Sequence, residues 1–185
     1  MKKSILFLFS FLLLFAITDL KAQDDGLGGI RIGYHSPGFY SDGNQFESSL
    51  NNFYVGFFRD NKLVPAIHLG TGLEYFQNGW KTDDDNMRQL HTLSIPVHAK
   101  FKIGPVFALG GIAANIKVSE KLTTAGSEVE LSDDLKASSF DLPLVLGAGV
   151  KFLFITVEVR YHWGTMEVVD GYKSQYLQIG AGFSL

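Results

Sequence analysis

Residues Ile155-Thr156-Val157-Glu158-Val159-Arg160-Tyr161-His162-Trp163 set an apolar or aromatic side chain at every odd position and a polar one at every even position. Successive side chains of an extended strand point to opposite faces, so this stretch predicts a strand with one greasy face and one charged face. The last residues repeat the pattern, with Leu177, Ile179, Ala181, Phe183 and Leu185 against Gln178, Gly180, Gly182 and Ser184. No segment carries a helical stripe longer than a turn or two.

Four more segments alternate in the same way. Ile30, Ile32 and Tyr34 stand against Arg31, Gly33 and His35, and Ile67, Leu69, Thr71, Leu73 and Tyr75 against His68, Gly70, Gly72 and Glu74. Leu93, Ile95, Val97, Ala99 and Phe101 oppose Ser94, Pro96, His98, Lys100 and Lys102; Leu142 to Phe152 sets Leu, Ala, Val and Phe against Pro143, Val145, Gly147, Gly149 and Lys151. Asn52 to Arg59 and Val106 to Val118 are strand-like in composition but ambiguous in phase. About eight strands result. Short links are expected at Asp60 to Pro65, at Ile103-Gly104-Pro105 and around Leu153, and long polar ones at His35 to Ser49, Gln77 to Gln89, Ser119 to Ser139 and Gly164 to Gln175. Short turns on one rim and long connections on the other are the pattern of an outer-membrane barrel. With an even strand number, both termini fall on the short-turn rim, expected to be periplasmic.

At the start of the chain, Lys2 and Lys3 precede an apolar run from Ile5 to Ile17 that stops at Thr18-Asp19. A spanning helix needs roughly 20 apolar residues, so the run reads as the core of a signal peptide rather than as an anchor. Leu20-Lys21-Ala22 offers a small residue at the cleavage position; residues 1–22 are expected to be removed and 23–185 to form one outer-membrane barrel domain. Loss of Lys2, Lys3, Lys21 and Asp19 leaves 13 basic residues of 16 and 18 acidic ones of 19, a net charge of −5. That balance argues against nucleic acid as a partner. Cysteine is absent, which excludes disulfides, thiolate metal sites, cysteine catalysis and a lipidated cysteine.

Alternation alone does not choose between a barrel in lipid and a lipocalin-like carrier in water, whose apolar face would turn inward around a ligand. The polar face mixes Gly33, Gly70, Gly72, Gly147, Gly149, Gly180 and Gly182 with long charged side chains. In a narrow lumen, small residues beside Lys or Arg let the long chains cross; on a water-facing exterior those glycines would only weaken strands. Aromatics gather at the strand ends, Tyr34, Tyr75, Tyr161, Trp163 and Tyr176 by the long connections and Phe101, Phe152 and Phe183 by the short ones, as two interfacial girdles would require. An Arg facing lipid near the midplane costs roughly 2–4 kcal/mol, so Arg160 and Lys100 are expected to face the lumen.

Leu93-Ser94-Ile95-Pro96-Val97-His98-Ala99-Lys100-Phe101-Lys102, Leu144-Val145-Leu146-Gly147-Ala148-Gly149-Val150-Lys151-Phe152, the closing Leu177 to Leu185 and the leader ending Lys21-Ala22-Gln23 together resemble the PorT-like, porin-family β-barrels of the Bacteroidota. The resemblance spans essentially the whole mature chain. It implies an all-β, eight-stranded antiparallel up-and-down transmembrane barrel, most of whose relatives have no assigned activity. The chain departs from the usual insertion signal by ending in Leu185 rather than an aromatic residue.

The lumen face is expected to hold a charge network of Arg31, Glu74, Lys100, Lys151, Glu158 and Arg160, with Lys102, His68, His98 and His162 beside it. Charges in so narrow a space must be paired or hydrated, and an eight-stranded barrel is just wide enough for side chains to fill; a plug is expected, with a narrow gated pore or binding site as the alternative. A rim-site enzyme acting on lipid A would need a Ser, a His and an acid, for which His35, His91 or His162 with Ser36, Ser94 or Ser174 are the candidates, and no spacing singles out one set. Asp83-Asp84-Asp85-Asn86 lacks the glycine and spaced oxygens of a calcium loop, and the acidic run from Ser127 to Lys136 reads equally as solvated loop. Gly70/Gly72, Gly147/Gly149 and Gly180/Gly182 follow the strand period and precede no helix, so they are not nucleotide loops. No catalytic set, cofactor or metal is expected. The expected surroundings are outer-membrane lipids including lipopolysaccharide and, in an interaction role, an envelope protein, with the barrel itself a monomer.

Overall fold

The computed structural model describes residues 27–41, 44–46, 48–83, 86–124, 127–129, 137–169 and 172–184. The expected leader 1–22, the tip residues 84 and 85, most of the acidic run at 130–136 and Leu185 lie outside the described residues.

Eight long strands form the wall: β1 (Leu27–Ser41), β2 (Asn52–Val64), β3 (Ile67–Asp83), β4 (Asn86–Ile103), β5 (Val106–Thr124), β6 (Leu144–Phe152), β7 (Ile155–Val169) and β8 (Tyr172–Ser184). Each pairs antiparallel with the next. β8 returns to β1, with Gly33 opposite Gly180, and closes the ring. Closure leaves no open strand edge, which a wall in hydrocarbon requires because nothing there can satisfy a free N–H or C=O. Short strand pieces at Asn44–Phe46, Ser48–Ser49, Ser127–Val129 and Phe140–Asp141 add to one rim. The last of these continues β6: Asp141 faces Asn115 as Leu144 faces Ile112, in one unbroken register. Pro143, which has no N–H to give, interrupts the ladder between them, while its carbonyl still accepts from Ala113 N at 3.0 Å.

One rim is made of two-residue turns at Pro65-Ala66, Gly104-Pro105 and Leu153-Phe154. Each contains one residue with positive φ, 69° at Ala66, 61° at Gly104 and 54° at Leu153, a backbone state that reverses the chain in the fewest residues. Carbonyls of the three turns accept N–H groups from the neighbouring strand: Ala66 from Lys102, Pro105 from Lys151 and Phe154 from Ser184. Leu27, paired with Asp60, and Ser184, paired with Gly29, lie at this same end.

The opposite rim differs from expectation. Gln77 to Gln89 is no loop: Gln77 pairs with His91, Trp80 with Arg88 and Asp83 with Asn86, so β3 and β4 continue as a protruding hairpin. β7 and β8 likewise run on to Val169 and Tyr172 across two register shifts. The alternation of apolar side chains stops where the wall leaves the apolar surroundings, whereas backbone pairing costs nothing to continue and keeps each N–H and C=O satisfied.

Phase is as expected on six strands and is now settled on the other two. β2 turns Tyr54, Gly56, Phe58 and Asp60 inward and Phe53, Val55 and Phe57 outward; β5 turns Phe107, Leu109, Ala113 and Asn115 inward. Both strands are apolar on both faces, which hid the phase. Outward positions on every strand expose large apolar groups, Phe53 at 73%, Phe57 at 63% and Leu146 at 55% among them. A soluble monomer rarely shows apolar patches beyond a few hundred Å²; here the whole belt is apolar and the interior charged, the reverse of a lipocalin-like carrier.

Candidate functional site

The interior is packed from the turn end to the hairpin end. Nearest the turns, Lys100 Nζ donates to both carboxylate oxygens of Asp60 at 2.8 and 3.0 Å and sits over the Phe107 ring at 4.6 Å. Lys102 lies 3.6 Å from the same carboxylate. Lys151 does not join the charge network expected for it; its ammonium donates to Ser184 Oγ at 3.1 Å, because it stands two residues nearer the turn than Gly149, the position that faces Glu158. Asp60, hidden in an expected link, is the missing partner of Lys100.

At mid-height four side chains form a closed ring of alternating charge. Glu74 Oε1 accepts from Arg31 Nη1 at 2.8 Å and from Arg160 Nη1 at 2.8 Å, and Glu74 Oε2 from Arg160 Nη2 at 3.0 Å. Glu158 Oε1 completes the ring with ion contacts of 3.1 Å to Arg31 Nε and Arg160 Nε. All four are essentially inaccessible. The guanidinium groups of Arg31 and Arg160 also lie against Phe58 and Tyr54, 4.7 and 5.3 Å from the ring centres. Inward glycines make the crossing feasible: a Cβ on Gly147 would stand 3.0 Å from Arg160 Cγ and one on Gly56 2.6 Å from Glu74 Cγ.

Above the ring a layer of aromatic rings closes the bore. His35 stacks on Phe76 at 4.4 Å, Tyr176 on His162 at 4.2 Å, and Phe76 meets Tyr176 at 5.2 Å. His35 Nε2 bonds Asn78 Oδ1 at 2.7 Å and Asn115 Nδ2 donates to the Tyr176 hydroxyl at 3.0 Å. Tyr176 is therefore no girdle residue: its even position on β8 puts it on the lumen face, and it is 1% exposed. Tyr34, Tyr75, Tyr161 and Trp163 do face outward near the hairpin end, and Phe101, Phe152 and Phe183 near the turn end.

The Ser and His candidates for lipid A chemistry are dispersed. His35 and His162 belong to the aromatic layer, His91 lies outside against the Tyr75 hydroxyl at 2.5 Å, and Ser36 Oγ donates to Asn51 at 2.8 Å. Ser94 and Ser174 are buried inside.

At the hairpin end the lumen opens into a crevice lined by Asn78, Thr92, Asn115, Lys117, Ser138, Asp141 and Ser174 together with the apolar Leu90, Phe140 and Val168. Lys117 of this lining donates to Glu120, which also takes hydrogen bonds from Arg88 and the Ala137 amide. Burial pushes the Glu120 carboxyl up, and the bonds from Lys117 and Arg88 more than reverse it, holding the group below the usual range. Asp141 has no such cation. Its Oδ1 accepts the Leu142 N–H at 2.9 Å; burial outweighs the hydrogen bonds from Leu142, Met166 and Asn115 that favour the charged form and pushes the carboxyl up to about 6. Asp141, Asn115 and Ser174 were not foreseen as a group, since they come from three separate strand regions.

A family model described as "Outer membrane protein beta-barrel domain" matches residues 21–169. No curated protein matches the chain. Among solved structures, the chain is similar to Ail, the attachment invasion locus protein of Yersinia pestis, in its complex with the heparin analogue sucrose octasulfate. Identity is 17%, with 87% of this chain and 99% of that one covered and a TM-score of 0.53. It is also similar to Neisserial surface protein A, at 12% identity over 85% of this chain and 97% of that one, with a TM-score of 0.58. At such identities the likeness bears on the fold.

Proposed function

The chain belongs to the outer membrane protein beta-barrel domain family, and from that premise we propose that it is a plugged barrel with a structural or interaction role, presenting its hairpin rim outside the cell. In this reading residues 1–22 are a signal peptide and residues 23–185 the mature domain, inserted as a monomer with both termini periplasmic. Its lineage is the PorT-like group of the Bacteroidota, its surroundings are lipopolysaccharide and other outer-membrane lipids, and an envelope protein is its partner through the hairpins. It is not an enzyme in this reading.

The observation that carries the proposal is the filling of the lumen: the Lys100–Asp60 pair, the Arg–Glu ring and the aromatic layer follow one another along it, with their residues almost wholly buried. A bore closed at three heights leaves the wall and the protruding hairpins as the working parts. The dispersed Ser and His side chains support a role without catalysis.

Reconstitution into planar bilayers tests the plug. No unitary conductance is expected; steady ion-conducting steps from the purified, heat-modifiable monomer would refute it. Protease applied to whole cells should cut in the hairpins, and cleavage confined to the turn rim would invert the topology.

A further inference from the structure

The crevice at the hairpin end holds three buried oxygen atoms without a hydrogen-bond partner: Asp141 Oδ2, Asn115 Oδ1 and Ser174 Oγ. They come from three different parts of the wall, the rim piece before β6, β5 and β8, and the three residues are 6%, 4% and 1% exposed. Buried polar atoms are seldom left unpaired, and all three can act as acceptors. They line one cavity of about 20 Å³, near the size that admits a single water-sized group.

The chemistry of the walls narrows the occupant. A hard divalent cation takes six to eight oxygen ligands and keeps water around it, whereas Leu90, Phe140 and Val168 put apolar surface into this crevice. A primary ammonium has three N–H donors and one positive charge. It therefore matches three acceptors of which one is a carboxylate, and the carbon that bears it can lie along that apolar surface. Lys117, which lines the crevice, is engaged with Glu120 and the Ala137 carbonyl, and Arg88 with Glu120, so neither is the donor that Asp141 Oδ2 lacks.

We propose that the crevice bounded by Asp141, Asn115 and Ser174 binds a single primary ammonium group, presented from the hairpin side by a small alkylamine or by a lysine side chain of a peptide. The site does not depend on whether the lumen conducts.

The test uses the mature barrel in detergent micelles in amine-free phosphate buffer, followed by backbone amide NMR while ethylammonium chloride is added at constant ionic strength. Parallel titrations use tetramethylammonium chloride, which has no N–H, calcium chloride in a non-phosphate buffer, and a lysine-containing peptide. Saturable shifts at Asn115, Leu142 and Ser174 are expected with ethylammonium and absent with tetramethylammonium. The peptide arm tells whether the group can arrive on a side chain. Asp141→Asn should weaken the ethylammonium response about tenfold, in line with loss of one charge-assisted bond, and Ser174→Ala should weaken it less. Both variants should keep heat-modifiable mobility; if Asp141→Asn fails to fold, Ser174→Ala and Asn115→Ala carry the comparison. Equal responses to tetramethylammonium, a response to calcium alone, no saturable shift, or variants that respond like the parent would each overturn the proposal, the last two leaving a cavity that holds only water.

Discussion

Arg160 grips Glu74 across the lumen through two parallel hydrogen bonds, 2.8 and 3.0 Å long, between residues 86 positions apart in the chain. The fork-to-fork geometry is the strongest form such a pair takes. Because Arg31 and Glu158 complete the ring, each charge has neighbours of opposite sign on two sides.

Removing one member unbalances the other three. Arg160→Ala leaves two buried carboxylates with one guanidinium, and is expected to cost about 3–5 kcal/mol. Lys62→Ala, at an exposed position, should stay within about 0.5 kcal/mol. The double change Glu74→Leu with Arg160→Met keeps the Arg31–Glu158 pair and should be more stable than Arg160→Ala alone. Urea midpoints in phospholipid vesicles measure all three; equal midpoints for Arg160→Ala and Lys62→Ala would remove the ring from the account of stability.

Two adjacent glycines provide a test of lumen crowding. On Gly111, facing inward, a Cβ would stand 2.2 Å from the Val97 carbonyl oxygen and 2.5 Å from His98 Cα, both backbone atoms. On Gly110, facing outward, its nearest neighbour is Leu146 Cδ2, the end of a side chain, at 3.2 Å. Gly111→Ala should therefore destabilise by about 1–3 kcal/mol and Gly110→Ala by less than about 0.5 kcal/mol, read from the same unfolding curves.

Asp141 should make the barrel less stable as pH rises through a defined window. Burial lifts its carboxyl from the ordinary 3.8 to about 6. Between those values the folded protein holds a proton that the unfolded chain has released, so the stability contribution falls from pH 4 to pH 6 and stays low above it. Asp141→Asn is expected to raise the urea midpoint at pH 8 in amine-free buffer and to leave it unchanged near pH 4. A gain of equal size at both pH values would mean that the carboxylate charge is not its cause.

The Pro65-Ala66 turn holds Ala66 at a φ of 69°, a conformation that costs a non-glycine L-residue about 1–2 kcal/mol. Ala66→Gly relieves that strain while adding freedom to the unfolded chain. A net gain of up to about 1 kcal/mol is expected in thermal or urea unfolding, and a loss would indicate that the Ala66 methyl packs more usefully than its backbone is strained.

Much of this fold was legible in local pattern. Ile155 to Trp163 and Leu177 to Ser184 alternate because one face meets lipid and the other a charged lumen, and six strand phases followed from that contrast. Asn52 to Arg59 and Val106 to Val118 resisted the same reading because Tyr54, Phe58, Phe107 and Leu109 fill the lumen while apolar residues also cover the outside. The hairpins read as loops in the sequence because the two-residue alternation stops beyond the apolar belt while backbone pairing continues. Residue type and nearness to a long connection point Tyr176 to the girdle, whereas its even position on β8 puts it inside.

The amino-acid sequence by itself determined that strands form, which way most side chains face and that charged groups share an interior, because these follow from residue neighbours one or two positions apart. Only the tertiary structure decided which charges meet. The stagger of eight strands around a closed ring sets the height of each inward side chain, and that stagger brings Glu74 to Arg31 and Arg160, sends Lys151 to Ser184 instead, gives Lys100 the partner Asp60, and gathers Asp141, Asn115 and Ser174 into one crevice. Pairing across a lumen is a property of the whole register, and no local stretch of chain contains it.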